Sequence, residues 1–525
     1  MPISASPGDP GSTLGVHYPE RGEADVSTLR GTGNPSAQSL QPAFLLLGYD
    51  QGVMSGLVGA DNRFGRDFGH PDANLQGDIV ALYDIGCIIG SILVFFIGER
   101  YGRRWMLMAG GTVMIIGTII LASSSTVAQL IVGRIVTGVG NGMNSSTAPV
   151  YQSESAPSDI RGTLLTLQGT MTILGLCIAY WLDYGTSFTD SSLQWRLPLA
   201  FQAFFAVCLV LQVVGLPETP RWLMKNDRYE EARDVVAAIN DASLDDPIVI
   251  QTLADIEKAV HEDIQGNEVG WRDFFTHGKL QNWRRLLLII FIEIMQQFTG
   301  SNMINYYAPT VYTDALHMGR NMSMILSGCT SLAYLVGSAL PLLMMDKFGR
   351  RILLMVSAAG LCLCFVMVAI LLSIGKTQDA YGATAFIFLF QIFYGLGWLP
   401  VPWFYPSEIS TTSLRSKNAA IASAFNWLSV FAVVKITPIA IQNIGWRVFV
   451  SFAVLNFLWI PIVYFFYPET KGLELEDINL IFAKGGFTGG VFSSGGRPVV
   501  PHQHAQETEL EGKQQTGMIE DVQHP

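Results

Sequence analysis

The sequence predicts an all-α membrane protein, with twelve spanning helices in two pseudo-symmetric six-helix halves. Three observations lead there. Half of the 525 residues are hydrophobic and only 14% are charged, where a soluble domain carries roughly a quarter. Runs such as Met324–Met345 and Ile352–Ile374 hold no charged residue, and about 20 apolar residues suffice to cross a bilayer. Finally, three motifs recur in the same order at nearly one offset. GERYGRRWMLM (98–108) returns as MDKFGRRILLM (345–355), PVYQSESAPSDIRG (149–162) as PWFYPSEISTTSLRS (402–416), and PETPRWL (217–223) as PETKGLE (468–474).

Residues 1–39 are polar and rich in Gly, Ser and Pro, without the apolar core of a secretory signal. They read as a disordered cytosolic tail. Spans are expected near 40–60, 78–97, 105–124, 127–150, 162–182 and 197–216, which make an N-terminal half over 40–216. A polar segment, 217–285, carries amphipathic patterns (DRYEEARDVVAAI, TLADIEKAV) and reads as a cytosolic helical linker. The C-terminal half, 286–467, is expected to span near 286–307, 322–345, 352–374, 383–405, 419–441 and 448–467. Residues 468–525 form a second cytosolic tail, disordered after about 483.

The first span is the shortest in apolar content. Leu40 to Ala60 is 21 residues, or about 31 Å of helix, and Gln41 and Pro42 crowd its beginning. Its helix is expected to start near Gln41.

Basic residues orient the chain. Arg100, Arg103 and Arg104 follow span 2, Lys347, Arg350 and Arg351 follow span 8, and Arg415 and Lys417 follow span 10. Alternate loops are poorer, so the basic loops, both tails and the linker are expected on the cytosolic side. Each half also places a Glu seven residues before an Arg: Glu154 and Arg161, Glu408 and Arg415. Such charges can pair across neighbouring helix ends. Arg103, Arg104, Glu154, Arg161, Arg350, Arg351, Glu408 and Arg415 therefore read as a cytosolic gate, with snorkelling at the interface as the plainer alternative.

The six cysteines all fall in expected spans and read as small buried hydrophobes. No cysteine–histidine cluster and no histidine lies in a span, so neither metal nor cofactor is expected. Gly138, Gly140 and Gly142 follow no strand and read as close helix packing rather than a dinucleotide loop. No nucleophile–base pair stands in the spans, and an enzyme is not expected.

The chain resembles the sugar porters of the major facilitator superfamily, in their fungal monosaccharide and polyol branch. GYDQGVMSG (48–56), GERYGRR (98–104), GRIVTGVGNGMNSSTAPVYQSESAP (133–157), QQFTGSNMINYYAP (296–309), GWLPVPWFYPSEI (397–409) and PETKGLELEDI (468–478) carry the resemblance, together with PETPRWL and DKFGRR. It implies alternating access to a site between the halves. Amides both donate to and accept from hydroxyls, and the resemblance assigns Gln296, Gln297 and Asn302 to sugar binding. It adds Trp403, Asn426 and Trp427, an indole face suiting a pyranose. In span 5 the family's binding Gln falls at Gly169; Gln168, one residue and about 100° away, is the substrate-binding candidate there, although its offset turns it toward a different wall. That departure leaves hexose, pentose and polyol open.

Asp50 and Arg134 are both expected inside the membrane, where an ion must be paired or wet. The resemblance pairs them and makes Asp50 a proton acceptor. Proton-coupled symport is the expected function, with facilitated diffusion as the alternative. A non-transporting sensor is a third reading, for which the 58 residues after residue 467 make a short tail. Glu293 shares a helical face with Gln296 and Gln297 and is left between a cytosolic-side pair and a role in coupling; Lys435 is expected to snorkel outward. The expected partners are a sugar or polyol, protons and the lipid bilayer, not nucleic acid. The protein is expected to be a monomer in the plasma membrane.

Overall fold

The computed structural model describes residues 40–58, 62–156, 161–265, 274, 281–374, 377–411, 414–471, 478, 481–483 and 491. Six helices make the first half: α1 (Gln41–Val53), α2 (Ala73–Tyr101), α3 (Arg103–Ala122), α4 (Val127–Ser155), α5 (Arg161–Thr186) and α6 (Leu193–Val214). Six more make the second. Helix α7 runs Asn282–Gln297 and resumes over Ser301–Thr310, and α8 runs Arg320–Ala339 and on through Pro341–Phe348. Helix α9 is Arg350–Ile374. Helix α10 comprises Thr377–Phe393, a wide π turn over Tyr394–Trp398, and Val401–Ile409; α11 (Arg415–Ile444) and α12 (Arg447–Phe466) close the half.

Among the described residues, nine of these helices are long and apolar enough to cross a membrane. The remaining three are α1, α4 and α5. Helix α4 fails on composition because its buried face carries Asn141, Asn144, Ser145 and Gln152. Helix α1 fails on length: 13 residues rise only about 20 Å. It begins at Gln41, as expected, with Pro42 in its first turn. It ends at Val53 rather than Ala60, and residues 54–57 continue as turns. Helix α2 outruns its expected span at both ends, because charged ends such as Glu99–Arg100 extend the helix into water while adding no hydropathy.

Glycines set the closest contacts. A Cβ on Gly138 would stand 2.2 Å from the Tyr83 carbonyl of α2, on Gly142 2.1 Å from that of Cys87, and on Gly140 2.6 Å from Gly110 of α3. Backbones approach this closely only where side chains are absent. The linker helices Pro220–Lys225, Tyr229–Ile239 and Pro247–Gln265 bury their own small core around Trp222, Val236 and Leu253.

The repeated motifs build the same joint twice. Glu218 Oε1 accepts from the Arg103 amide at 3.0 Å and Oε2 from the Arg104 amide at 3.1 Å. Glu469 accepts from the Arg350 and Arg351 amides at 2.9 and 3.0 Å. These are the orphan donors of the first turns of α3 and α9. The turn before each is a glycine at positive φ, Gly102 (88°) and Gly349 (84°). A Cβ there would lie 2.4 and 2.6 Å from the Glu218 and Glu469 carboxylates. Burial pushes the Glu218 carboxyl up, and the amides of Thr219, Arg104 and Arg103 pull it back. Tyr151 Oη donates to the Pro217 carbonyl (2.7 Å) and Tyr405 Oη to that of Pro468 (2.9 Å). Glu218→Ala is expected to lower thermal stability by about 1.5–3 kcal/mol, the value of hydrogen bonds to a charged acceptor. Unfolding of the detergent-solubilised protein measures it, and Glu218→Gln, which keeps an acceptor, should lose less.

Candidate functional site

A partly open cavity, about 870 Å³ counting the solvent at its mouth, lies between the halves. Helix breaks aim its polar groups. The first segment of α7 stops at Gln297, and Gly300, at φ 91°, starts the second. A Cβ there would meet the Phe365 ring at 2.8 Å, so only glycine turns this corner. The corner brings Asn302 back over Gln297, and its Nδ2 donates to Gln297 Oε1 at 2.6 Å. The π turn and Pro400 of α10 likewise set Trp403 at the cavity wall.

All seven residues expected to bind substrate line this one cavity: Gln168, Gln296, Gln297, Asn302, Trp403, Asn426 and Trp427. Gln168 is a correction to its expected orientation. Both it and Gly169 face the cavity, because a long side chain spans the offset of one residue; its Nε2 donates to Gln152 Oε1. The amides form a chain. Asn426 Nδ2 donates to Gln296 Oε1 (2.8 Å), Gln297 Nε2 donates to the same oxygen (3.1 Å), and Gln296 Nε2 donates to the carbonyls of Trp398 (2.8 Å) and Leu399 (3.3 Å). Gln296 therefore has two donors and two acceptor positions already engaged. Among the described residues, Gln297, Asn302 and Gln168 each keep hydrogen-bonding positions free for a ligand. Trp427 is 1% exposed, with its indole N–H unpartnered among the described residues, whereas Trp403 is 38% exposed.

Sequence reasoning passed over Gln51, Asn305, Tyr334 and Tyr394, which also line the cavity. The first two lie inside motifs quoted above and follow Asp50 and Asn302 by one and three positions. The tyrosines sit in apolar runs that give them no local mark.

Behind Gln51 lies the ion pair. Arg134 Nη1 donates to Asp50 Oδ1 at 3.1 Å, with both side chains fully buried. Gln202 Nε2 donates to the same oxygen at 2.9 Å, and Arg134 Nη2 reaches the Val80 carbonyl at 3.3 Å. The guanidinium stacks over Tyr83 at 4.3 Å, a cation–π contact. It also feels Asp84, whose two carboxyl oxygens are buried with no hydrogen bond among the described residues. Asp50 pairs with this cation directly; no ion pair joins Asp84 to it among the described residues.

At the end carrying the basic loops, Arg103 pairs with Glu154 at 3.2 Å and Arg350 with Glu408 at 2.9 Å, each within its own half. Arg104 instead bonds the α6 carbonyls of Val213 and Val214, and Arg351 those of Tyr464 and Val491. The side chains of Arg161 and Arg415 lie outside the described residues. The opposite end joins the halves. Lys435 Nζ of α11 pairs there with Asp78 of α2, while Tyr307 Oη donates to the Val434 carbonyl (3.1 Å) within the second half. Lys435 does more than snorkel: a carboxylate from the other half offers its ammonium a better partner than the interface does.

Comparison with known proteins agrees with this layout. Residues 39–482 match the family described as "Sugar (and other) transporter". The "MFS-type transporter oryC" of Aspergillus oryzae is 41% identical over 448 residues, 83% of this chain and 82% of that protein. The "Sugar transporter STL1" of Saccharomyces cerevisiae is 38% identical over 454 residues, 84% of this chain and 79% of that protein. Among solved structures, the partially occluded inward-open form of the E. coli xylose transporter XylE superposes with a TM-score of 0.71. It is 24% identical and covers 84% of this chain and 98% of its own. The chain is a multi-pass membrane protein of the major facilitator fold, a transporter rather than an enzyme, and it belongs to the sugar transporter family.

Proposed function

We propose that this protein carries a monosaccharide or small polyol across the plasma membrane by alternating access, coupled to a proton at Asp50. The observation that carries the reading is the junction at Asp50–Gln51. The first residue holds the Arg134 pair, and the next faces the amide-lined cavity. A sugar that moves α1 through Gln51 moves the carboxylate against its cation. Protonation of Asp50 removes the charge that Arg134 holds, and the two halves can then part differently. The gate charges belong to the same cycle. The cavity reaches Pro149, Trp403 and Phe404 near the basic end, while Asp78–Lys435 ties the halves at the other. With the basic loops cytosolic, this is an inward-facing arrangement, and Arg103–Glu154 and Arg350–Glu408 wait within their halves to meet when that end closes.

The test is uptake of labelled D-glucose, D-xylose and glycerol at two pH values, in cells without their own transporters. Uptake of at least one, faster at the lower pH, is expected; transport of none would end the sugar reading. Facilitated diffusion is the second reading, favoured by the complete burial of the Asp50–Arg134 pair, which suits a static strut. Sugar-induced alkalinisation of the medium separates the two. Within the site, Asn302→Leu removes a free donor and acceptor together and is expected to raise KM about tenfold, or ~1.4 kcal/mol. Concentration dependence of initial uptake measures it.

A further inference from the structure

One buried carboxylate, bonded to the cavity-lining Asn426, has no place in this cycle. Glu293 is 2% exposed, in the first segment of α7, one turn before Gln296. Its Oε2 accepts from Asn426 Nδ2 at 2.8 Å, and the same nitrogen donates to Gln296 Oε1 at 2.8 Å. An amide nitrogen has two hydrogens. Both are engaged, so Asn426 has only its oxygen left for the cavity it lines. Among the described residues no Lys or Arg pairs with Glu293. The titratable groups facing it are two phenols, Tyr394 of α10 and Tyr467 beyond α12. From α11 it meets the Asn426 amide, and Tyr467 is itself committed to the Leu288 carbonyl at 2.9 Å.

We propose that Glu293 is a proton-binding site whose charge state decides whether Asn426 offers the cavity an acceptor or a donor. An ionised carboxylate only accepts, and it holds the Asn426 nitrogen toward itself, as observed. Once a proton from the aqueous side binds, the new O–H can donate. The amide then turns over, its Oδ1 receiving that hydrogen and swinging clear of Gln296 Oε1, which loses the Asn426 donor but keeps that of Gln297, and its Nδ2 faces the cavity. Release of the proton to water reverses the step. Gln296 does not turn with it, because the Trp398 and Leu399 carbonyls hold its Nε2. A sugar hydroxyl that donates to Asn426 in one state must accept from it in the other, so proton and sugar occupancy are linked and each alters the affinity for the other. The cavity role of Asn426 rests on the sugar-transport reading; the proton site does not.

Two measurements on the full chain test this. The first is pH-difference infrared spectroscopy of the purified protein in nanodiscs. A protonated-carboxyl band should grow as pH falls and be missing from Glu293→Gln, with the bands of other acids retained. Identical carboxyl bands in the two proteins would overturn the proposal. The second is the KM for D-glucose, D-xylose and glycerol at pH 5.5 and 7.5. Wild-type KM is expected to differ at least about threefold between the two, and that of Glu293→Gln to differ by clearly less, the remainder belonging to Asp50. A wild-type-like KM shift in Glu293→Gln would also overturn it. A wild type that shows the band yet carries none of the three probes upholds the proton site and defeats the sugar reading instead.

Discussion

Asp50→Asn is expected to abolish uphill accumulation while sparing exchange of labelled substrate between the two sides. The substitution keeps the shape of the side chain, and Asn can still accept from Gln202, which now donates to Oδ1 at 2.9 Å. What it removes is the charge and the proton site. Arg134 then keeps its stacking on Tyr83 and its bond to the Val80 carbonyl, with Asp84 as its remaining acid. Exchange needs only the site and the rocking of the halves; accumulation needs a driving ion. The accumulation ratio should therefore fall to about one, with exchange retained as proof that the protein is folded. Unchanged accumulation by Asp50→Asn would remove proton coupling at this residue. Arg134→Gln is the harsher change. It strands the buried Asp50 carboxylate, and breaking a buried pair costs about 3–5 kcal/mol, so loss of folded protein is expected there.

Gly48→Ala should be nearly as damaging, although it adds one methyl group. A Cβ on Gly48 would sit 1.6 Å from the Thr172 carbonyl oxygen of α5 and 2.6 Å from its carbon. The contact is reciprocal: a Cβ on Gly175 would lie 2.1 Å from the Leu45 carbonyl of α1. Both obstacles are backbone, so no rotamer relieves them and the helices must separate. Overpacking costs about 1–3 kcal/mol where side chains can adjust, and this site falls at or above the upper end. Helix α1 holds Asp50, Gln51 and a wall of the cavity, so its displacement also disables transport. The measurement is the fraction of chains reaching the membrane as a monodisperse species. Gly185→Ala, with nothing within 4 Å of its Cβ, should be indistinguishable from wild type. If both variants behave alike, the tight α1–α5 contact is not a determinant of assembly.

Much of this architecture is written locally in the chain. Apolar runs, doubled basic loops and amides in a membrane segment are properties of short stretches, and they lead to the helices and to seven lining residues of the cavity. Pairings across hundreds of residues leave no such trace. Asp78 and Lys435 look like isolated charges until α2 meets α11. Glu218 and Glu469 stand in motifs whose recurrence is visible, yet nothing near them says that they cap α3 and α9. Gln296 is the subtler case. Residue type alone marks it as a group that binds hydroxyls, whereas its hydrogen-bonding capacity is consumed by Asn426, Gln297 and two carbonyls. Periodicity also misjudged Gln168, because a face assigned at the Cα does not limit where a flexible side chain ends.

The twin joints at Glu218 and Glu469 also bear on how such a chain came to be. The second joint lies beyond the last membrane helix, in residues that by position alone would count as tail. Thr470 adds to it, its hydroxyl donating to Glu408 Oε2 at 2.6 Å, the carboxylate that also holds Arg350. The length of chain that was copied is therefore six helices together with the fastener that follows them, and each copy brought its own. A truncation or fusion that respects this ancestry leaves Glu469 and Thr470 in place; one that cuts at the end of α12 opens the second half at its seam.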